Sequence, residues 1–228
     1  MPTHKPPVPG ILFVNSDILP TQSQLSKQTF NTWYCNEHIP DVVAKSGISY
    51  AYWYEHVIDR LSAARRLNFL TIYGMDDINF AESEEFRSLK GQKPGPNKEG
   101  ILKRPSLILG RPARFLLYAA MSHSSNAELD EWYRGEHVET ISKCPRYRRT
   151  SRYKIATRSL LSGFERSFPP AMTWLALHEF EGPEVPWKEL AATDETEWAK
   201  KVLPGITEID FGLFELKRVF GEGEKARL

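Results

Sequence analysis

Two hexapeptides in the chain, WYCNEH at 33–38 and WYRGEH at 132–137, carry Trp, Tyr, Glu and His at the same four positions. A Glu next to a His suits general acid–base chemistry, because the carboxylate can orient the imidazole and raise its basicity. A Tyr four residues before the His could donate a hydrogen bond to a developing oxyanion. The pattern therefore indicates proton transfer on a carbonyl or phenol group, with His38 and His137 as candidate acid–base residues.

Helical spacing places these side chains on a face that would otherwise be apolar. Residues i and i+4 share a helix face, so Tyr34 lies one turn before His38 and Trp33 one turn before Glu37. A titratable pair on a buried face must find hydrogen bonds, because its desolvation is otherwise unfavourable. The pair is therefore either catalytic, with Glu37 orienting His38, or a packing pair that satisfies backbone groups near the helix end.

Pro40 predicts a difference between the two copies. It has no backbone N–H, so we expect it to bend or end the helix just after His38. The second copy has Glu139 near the corresponding place, and the predicted bend is therefore not shared.

The same order of predicted elements surrounds both hexapeptides. Hydrophobic periodicity predicts strands at 10–18, 48–59, 66–76, 114–123, 147–158, 172–182 and 206–220, and helices at 25–38, 79–91, 127–143 and 187–203. Strand–helix–strand–strand–helix–strand is the ferredoxin-like plan. A shift of 99 residues aligns the hexapeptides and places Tyr54 on Tyr153. The extra residues of the second half fall between Ile155 and Met172, where we predict a long loop.

The segment 89–105, rich in Gly, Pro and Lys, separates the two predicted repeats. It has no apolar period, which favours a loop or linker. The predicted class is therefore α+β, with tandem ferredoxin-like βαββαβ repeats at 10–105, including the linker, and at 106–228.

With its tandem plan and its W-Y-x-x-E-H helices, the chain resembles the dimeric α+β barrel superfamily, and most closely fungal EthD-like proteins in which two such units are fused. The resemblance implies that the two sheets pair into a barrel and that a pocket lies between each sheet and its helices. It also implies that the histidine of the first helix in each unit, here His38 and His137, faces that pocket. The superfamily includes cofactor-free monooxygenases, polyketide cyclases and decarboxylases, isomerases and haem proteins.

The resemblance further implies that the strand after each of these helices lines the pocket. Alternation gives the first pocket the side chains of Tyr50, Tyr52, Tyr54 and His56. The second pocket receives Arg149, Ser151, Tyr153 and Ile155. An aromatic lining suits a flat, phenolic or polyketide-like ligand. The alternative is that these tyrosines pack against a neighbouring sheet or a second chain.

The candidate site combines residues of both hexapeptides with residues of the strands that follow them. The predicted catalytic residues are His38, Glu37, Tyr34, Tyr54 and His137. The predicted substrate-binding residues are Trp33, Tyr50, Tyr52, His56, Arg149 and Tyr133. One of Arg148, Arg149 and Arg152 could bind a carboxylate bidentately, or the three could form ordinary surface charge. The tyrosines that follow His38 favour the first copy as the active one.

Composition and motifs limit the partners. A net charge of +1 over 228 residues gives no reason to expect nucleic acid or an acidic membrane surface. The longest apolar stretch, at 115–121, is too short to cross a bilayer. There is no His-Glu-x-x-His spacing, phosphate-binding glycine loop or dinucleotide fingerprint, so we predict no metal and no organic cofactor. Haem remains open through the resemblance alone, with a lone histidine as axial ligand.

Two cysteines cannot form a disulfide framework, which predicts a reduced, cytoplasmic setting. The ending Ala226-Arg227-Leu228 resembles a relaxed peroxisomal address and offers an alternative location. A fused pair of repeats can close its own barrel, so both a monomer and a homodimer are consistent with the sequence.

The leading functional hypothesis is a cofactor-independent lyase, cyclase or decarboxylase of secondary metabolism. It would act by general acid–base catalysis on a carbonyl- or phenol-containing, polyketide-like small molecule. The alternatives are a cofactor-free or haem-dependent monooxygenase and a non-catalytic small-molecule-binding module.

Overall fold

All seven segments that alternation marks as strands form strands in the computed structural model, which describes residues 6–18, 25–57, 67–89, 101–103, 111–162 and 165–221. The first half contains β1 (Gly10–Ser16), β2 (Ile48–His56), β3 (Phe69–Met75) and β4 (Ile101–Lys103). The second half contains β5 (Phe115–His123), β6 (Tyr147–Ile155), β7 (Leu160–Ser162), β8 (Glu165–Ser167), β9 (Trp174–Phe180) and β10 (Ile206–Gly221).

Three short strands fall where the sequence predicted loops. β4 lies in the predicted linker, and it forms because it completes the hydrogen bonding of two strands that are distant in sequence, β1 and β6. β7 and β8 pair with each other in a separate two-stranded sheet inside the predicted loop between Ile155 and Met172. Within segment 89–105, the structure describes only Leu89 and β4. The predicted boundary at 105/106 and the ending 226–228 also lie outside the described residues.

The helices are α1 (Lys27–Trp33), α2 (Ile39–Val43), α3 (Glu84–Arg87), α4 (Asn126–Trp132), α5 (Val138–Ser142), α6 (Trp187–Ala192) and α7 (Ala199–Val202). Ser26 and Ser125 cap α1 and α4, since each hydroxyl accepts a hydrogen bond from a backbone N–H three residues later. None of the described helices is long and apolar enough to span a membrane.

Eight strands close into an antiparallel barrel in the order β1-β3-β2-β10-β5-β9-β6-β4. The first half contributes β4-β1-β3-β2, and the second half contributes β10-β5-β9-β6. In both cases the order of the four barrel strands is fourth, first, third, second, which is the ferredoxin-like arrangement. The fourth strand of each half then pairs with the second strand of the other half, as β10 with β2 and β4 with β6. The fold is therefore α+β, and the barrel closes within one chain.

The two faces of the sheet have different neighbours. One face lines the barrel interior, where Tyr54 and Tyr153, which the 99-residue shift aligns, both lie. The other face is covered by the helices, with Tyr34 and Trp53 packed together in the first half. Any side chain on a strand therefore belongs either to the barrel interior or to a helix–sheet layer, and alternation decides which.

Candidate active site

Both hexapeptides contain a π-helical turn. It spans Tyr34–His38 between α1 and α2, and Tyr133–His137 between α4 and α5. In each turn the backbone N–H of the residue after the histidine donates to the carbonyl of the tyrosine, five residues earlier. Such turns are rare interruptions of α-helices and are frequent at functional sites. The turn therefore lies at the same place in both hexapeptides.

The π turn brings the tyrosine and histidine rings together. Their centroids are 4.8 Å apart for Tyr34 and His38, and 4.7 Å apart for Tyr133 and His137. The prediction that the helix ends at Pro40 is wrong, because α2 continues through Pro40 as far as Val43, whereas a bend there stays a prediction. Pro40 is tolerated because it follows the π turn, where the regular ladder of helical hydrogen bonds is already interrupted.

In the first half the site lies at the surface. The Trp33 side chain is 45% exposed and stacks on His38 at 5.3 Å between ring centroids. His38 is half-buried, and this burial lowers the pKa of its imidazole. Glu37 is exposed and makes no hydrogen bond to any described residue. The described residues therefore show no hydrogen bond through which Glu37 would orient His38, and that role stays a prediction.

Tyr34 occupies the layer between helix and sheet. Its phenol is buried against the hydroxyl groups of Thr71 and Tyr73 on β3, and burial raises its pKa. Tyr34 also contacts His38 through its ring. Its role as a hydrogen-bond donor to substrate remains a prediction.

The tyrosines of β2 lie on the opposite face of the sheet from His38. Tyr50, Tyr52 and Tyr54 are buried in the barrel interior, where Tyr50 and Tyr52 stack at 4.7 Å. His56, the next residue of the same alternation, contacts Phe214 edge to face. The expectation that these residues line one pocket with His38 is wrong, because the intervening residues of β2, such as Trp53, face the helices instead. Burial raises the pKa of Tyr52 to about 12 and that of Tyr54 well above its usual value.

Arg149 also faces the barrel. Its Nε and Nη2 atoms donate to the two carboxylate oxygens of Glu179, at 2.7 and 3.0 Å. Glu179 accepts a further hydrogen bond from the backbone N–H of Ala113. The predicted substrate-binding arginine is thus occupied by a buried carboxylate of its own chain.

In the second half the motif is buried. Trp132 is only 2% exposed and His137 only 7%. Glu136 accepts hydrogen bonds from Trp132 Nε1 at 3.1 Å and from the Thr196 hydroxyl at 2.7 Å. The carboxylate therefore positions the tryptophan rather than the neighbouring histidine. The Trp132 ring in turn packs against that of His137, with 4.3 Å between the ring centroids.

A second histidine completes the buried cluster. His178 of β9 faces the helix, with its ring 5.9 Å from that of His137. Its Nδ1 atom shares a 2.8 Å hydrogen bond with the Thr150 hydroxyl, which accepts one from Tyr147 Oη. Burial lowers the pKa of His137 to about 4 and that of His178 to about 3, with Arg152 lowering both further. Both imidazoles are therefore neutral at neutral pH.

Arg152 supplies the fixed positive charge of this cluster. Its guanidinium lies 4.3 Å from the Tyr133 ring and 4.7 Å from the Trp174 ring. Its Nη1 atom donates to Asp130 at 2.6 Å, and Asp130 also pairs with Arg134. Two aromatic rings and one carboxylate thus hold the guanidinium in place.

Several polar atoms in this cluster are buried without a hydrogen-bond partner among the described residues: Arg152 Nε, Arg152 Nη2, His137 Nδ1 and Trp174 Nε1. Buried polar groups are normally paired, so a cluster of unpaired ones is a characteristic of a ligand or water site. A neutral imidazole beside a fixed cation can remove a proton from a substrate and stabilise the resulting anion. This group of residues, the His137–Arg152 cluster, is the candidate active site.

Sequence reasoning identified only part of the His137–Arg152 cluster. His137 and Tyr133 were predicted site residues, and Arg152 was one of three arginines considered. His178 and Trp174 were missed. His178 could have been found from the stretch WLALHEF, because a histidine there interrupts a run of apolar residues. Such a run is typical of a strand that is buried on both faces, where a polar side chain needs a specific reason.

The residues around His137 do not fit a haem. An axial histidine must present a ring nitrogen to the open face of the porphyrin. The ring centroids of Trp132, Tyr133 and His178 all lie within 5.9 Å of the His137 ring centroid, which leaves no such face open. Across the described ranges, no group of three or more His, Cys, Asp or Glu side chains is arranged to hold a metal ion.

Known proteins provide an independent comparison. No protein-family model matches the chain. It is 26% identical over 200 residues to core atranone cluster protein 1 of Stachybotrys chlorohalonatus, which covers 76% of this chain and 82% of that protein.

Solved structures resemble the fold across nearly the whole chain. A proposed monooxygenase of Fusobacterium nucleatum matches with a TM-score of 0.54 at 9% identity, covering 96% of this chain and 97% of its own. An anthrone oxidase-like protein matches with a TM-score of 0.54 at 10% identity, covering 97% and 96%. A proposed chlorite dismutase matches with a TM-score of 0.53 at 12% identity, covering 96% and 98%. Together with the strand order, these likenesses show that the chain has the dimeric α+β barrel fold of ferredoxin-like type.

Proposed function

We propose that the protein is an enzyme of secondary metabolism that removes a proton from a carbonyl- or phenol-bearing small molecule, with His137 as the base. The observation that carries this proposal is the buried, neutral imidazole of His137, whose unpaired Nδ1 lies in one cluster with the unpaired donors of Arg152. The sequence favoured His38, but His38 lies half-exposed beside an exposed Trp33, and among the described residues no cation is placed against it as Arg152 is against His137.

The proposed step is a single proton transfer. His137 accepts a proton from a carbon that is next to a carbonyl group or conjugated with it through an aromatic ring, and the electron pair of the broken C–H bond moves to the carbonyl oxygen as an enolate. Arg152 and the indole N–H of Trp174 donate hydrogen bonds to that oxygen. A pKa of about 4 makes His137 a weak base in the free protein. The enolate raises that pKa during the reaction, because its negative charge offsets both Arg152 and the cost of burying an imidazolium.

The enolate gives two candidate outcomes. As a lyase, cyclase or decarboxylase, the protein would let it eliminate, condense or be reprotonated. The similarity to a protein named for the atranone cluster supports a place in secondary metabolism. As a monooxygenase, the protein would let the same carbanion react with O₂, and the fold shared with a proposed monooxygenase and an anthrone oxidase-like protein is consistent with this second outcome.

Four further assignments belong to the same proposal. The chain is an EthD-like protein with two fused repeats divided near 105/106, and it acts on a small-molecule substrate. It functions as a monomer, whose barrel closes within one chain, or as a homodimer. It resides in the cytoplasm, or in the peroxisome if Ala226-Arg227-Leu228 is read as an address.

Anthrone is a suitable probe because its C10 protons are acidified by a carbonyl across the ring. Under nitrogen in D₂O, the protein should accelerate deuterium exchange at C10, measured by ¹H NMR against buffer alone. Since a positioned base contributes about 10²- to 10⁴-fold, His137→Asn should lose at least about 100-fold of that acceleration. Exchange that His137→Asn leaves unchanged would rule out His137 as the base.

The same probe in air separates the two outcomes. Oxygenation would consume one O₂ per anthrone and release anthraquinone and water, which an oxygen electrode and the quinone absorbance both report. Rapid exchange without O₂ uptake would assign the protein to the lyase, cyclase or decarboxylase class.

A further inference from the structure

The unpaired atoms of Arg152 define a specific recognition geometry. Nε and Nη2 project their N–H bonds from the same edge of the planar guanidinium, side by side. Both are buried and have no hydrogen-bond partner among the described residues, whereas Nη1, on the other edge, donates to Asp130. Asp130 thus fixes one edge of the group, and the described residues provide no acceptor for the two-donor edge.

Arg149 shows how this chain uses that same edge. On the barrel face of β6, three residues before Arg152, Nε and Nη2 of Arg149 hold the two oxygens of Glu179 at 2.7 and 3.0 Å. Arg152 presents the equivalent edge in the helix–sheet layer, and the described residues place no carboxylate on it. An acceptor from outside the chain would complete the same pairing.

The surroundings of Arg152 restrict the shape of that acceptor. The guanidinium is held between the Tyr133 and Trp174 rings, so its orientation is set before a ligand binds. A bidentate partner lies in the plane of the guanidinium, and its two oxygens must therefore be coplanar and on the same side. The Trp174 Nε1 atom, also buried and unpaired among the described residues, adds a third donor.

We infer that Arg152 selects substrates with two adjacent, coplanar oxygen atoms, as in an aromatic carboxylate or a hydroxyl group hydrogen-bonded to a neighbouring ketone. This inference rests on the proposed function, since it assigns the substrate class of the site in which His137 is the base. A molecule with a single oxygen would leave one buried N–H unpaired, which is unfavourable.

Three naphthalene ligands of similar size test the inference by isothermal titration calorimetry. They are 1-hydroxy-2-naphthoate, which offers a carboxylate, 1-hydroxy-2-acetonaphthone, which offers a hydroxy-ketone, and 1-naphthol, which offers one oxygen. Both two-oxygen ligands should bind the wild-type protein on the order of tenfold or more tightly than 1-naphthol, the range expected for a hydrogen bond to a charged group. The stronger of the two identifies which source of paired oxygens the site prefers.

Variants assign the selectivity to the two-donor edge. Arg152→Lys keeps the charge near Asp130 but removes the edge, and it should reduce binding of the two-oxygen ligands on the order of tenfold and that of 1-naphthol by less, so that the selectivity is lost. Arg148→Lys is the matched control, because Arg148 lies on the same strand and pairs with Glu181 at the surface. Equal affinity for all three ligands, or unchanged selectivity in Arg152→Lys with a wild-type melting temperature, would overturn the inference.

The outcomes also separate this inference from the proposed function. His137→Asn should keep the selectivity for paired oxygens and lose deuterium exchange. If Arg152→Lys binds like wild type while His137→Asn loses exchange, the base assignment stands and the substrate class is wrong. If the reverse is found, the site binds such ligands but His137 does not catalyse the exchange.

Discussion

At the scale of single residues, the two copies of the motif have diverged in what their Glu and His side chains contact. Glu136 accepts hydrogen bonds from Trp132 and Thr196, whereas Glu37 is exposed and makes no hydrogen bond to any described residue. His137 is buried beside a cation, whereas His38 is half-buried against an exposed indole. Identical residue types at identical spacing therefore have different chemistry, because the structure that covers them differs.

The two glutamates form a matched pair for a stability measurement. Glu136→Ala removes the acceptor for a buried indole N–H and should lower the free energy of unfolding by about 1–3 kcal/mol. Glu37→Ala removes an exposed side chain and should change it by less than about 0.5 kcal/mol. Urea denaturation followed by circular dichroism measures both, and equal effects of the two substitutions would contradict the assigned roles.

The residue pattern predicted which side chains of a strand lie on the same face of the sheet. It did not predict whether that face lines the barrel interior or packs against the helices. Alternation correctly grouped Tyr50, Tyr52 and Tyr54, yet both faces of β2 are covered, one by the barrel and one by helices. Hydrophobicity carries no information about the choice between two buried faces. For the same reason the sequence identified His137 but could not say that Arg152, rather than Arg149, would lie beside it.

At the scale of elements, long-range pairing and backbone irregularity limit what the sequence predicts. The seven longer strands follow from alternation, which is a local signal. β4 has three residues in a Gly- and Pro-rich segment and is stabilised by pairing with β1 and β6, which local propensity does not report. The π turns are invisible for a similar reason, since the motif reads as an ordinary helix until its hydrogen bonds are seen.

The π turn of the second half is packed closely against the segment that covers it. A Cβ built at Gly135 would lie 2.8 Å from the Trp198 ring, so the ring must move to admit a methyl group. Helix propensity alone predicts that Gly135→Ala is stabilising by about 0.5–1 kcal/mol. We expect the opposite sign, a destabilisation of about 1–3 kcal/mol, because overpacking outweighs propensity.

Asn36 provides the control for that substitution, since it holds the equivalent position in the first half and is exposed. Asn36→Ala should leave the urea midpoint nearly unchanged. A Gly135→Ala variant that is more stable than wild type would show that Trp198 does not restrict the turn.

At the scale of the whole molecule, burial of neutral histidines couples stability to pH. His137 and His178 have pKa values of about 4 and 3 in the folded protein, compared with about 6.5 when exposed. Below pH 6.5 the unfolded chain binds protons that the folded chain excludes. Stability therefore falls as pH decreases from about 6.5 toward 4, by up to about 1.4 kcal/mol per pH unit for each histidine.

Urea denaturation at pH 7, 6 and 5 measures this dependence. His178→Gln should make the unfolding free energy depend less steeply on pH, because unfolding then takes up about one proton fewer. Of these two buried histidines, only His137 would remain to be protonated on unfolding. A wild-type stability that is independent of pH in this range would mean that the histidines are not buried in neutral form.

His137, and not His38, is the proposed base of the active site. Deuterium exchange at C10 of anthrone under nitrogen distinguishes the two histidines when His137→Asn is compared with His38→Asn, with both variants first shown to be folded. We predict that His38→Asn exchanges within about twofold of wild type and that His137→Asn loses at least about 100-fold. Loss of exchange in His38→Asn with wild-type exchange in His137→Asn would contradict the account and return the active site to the first half.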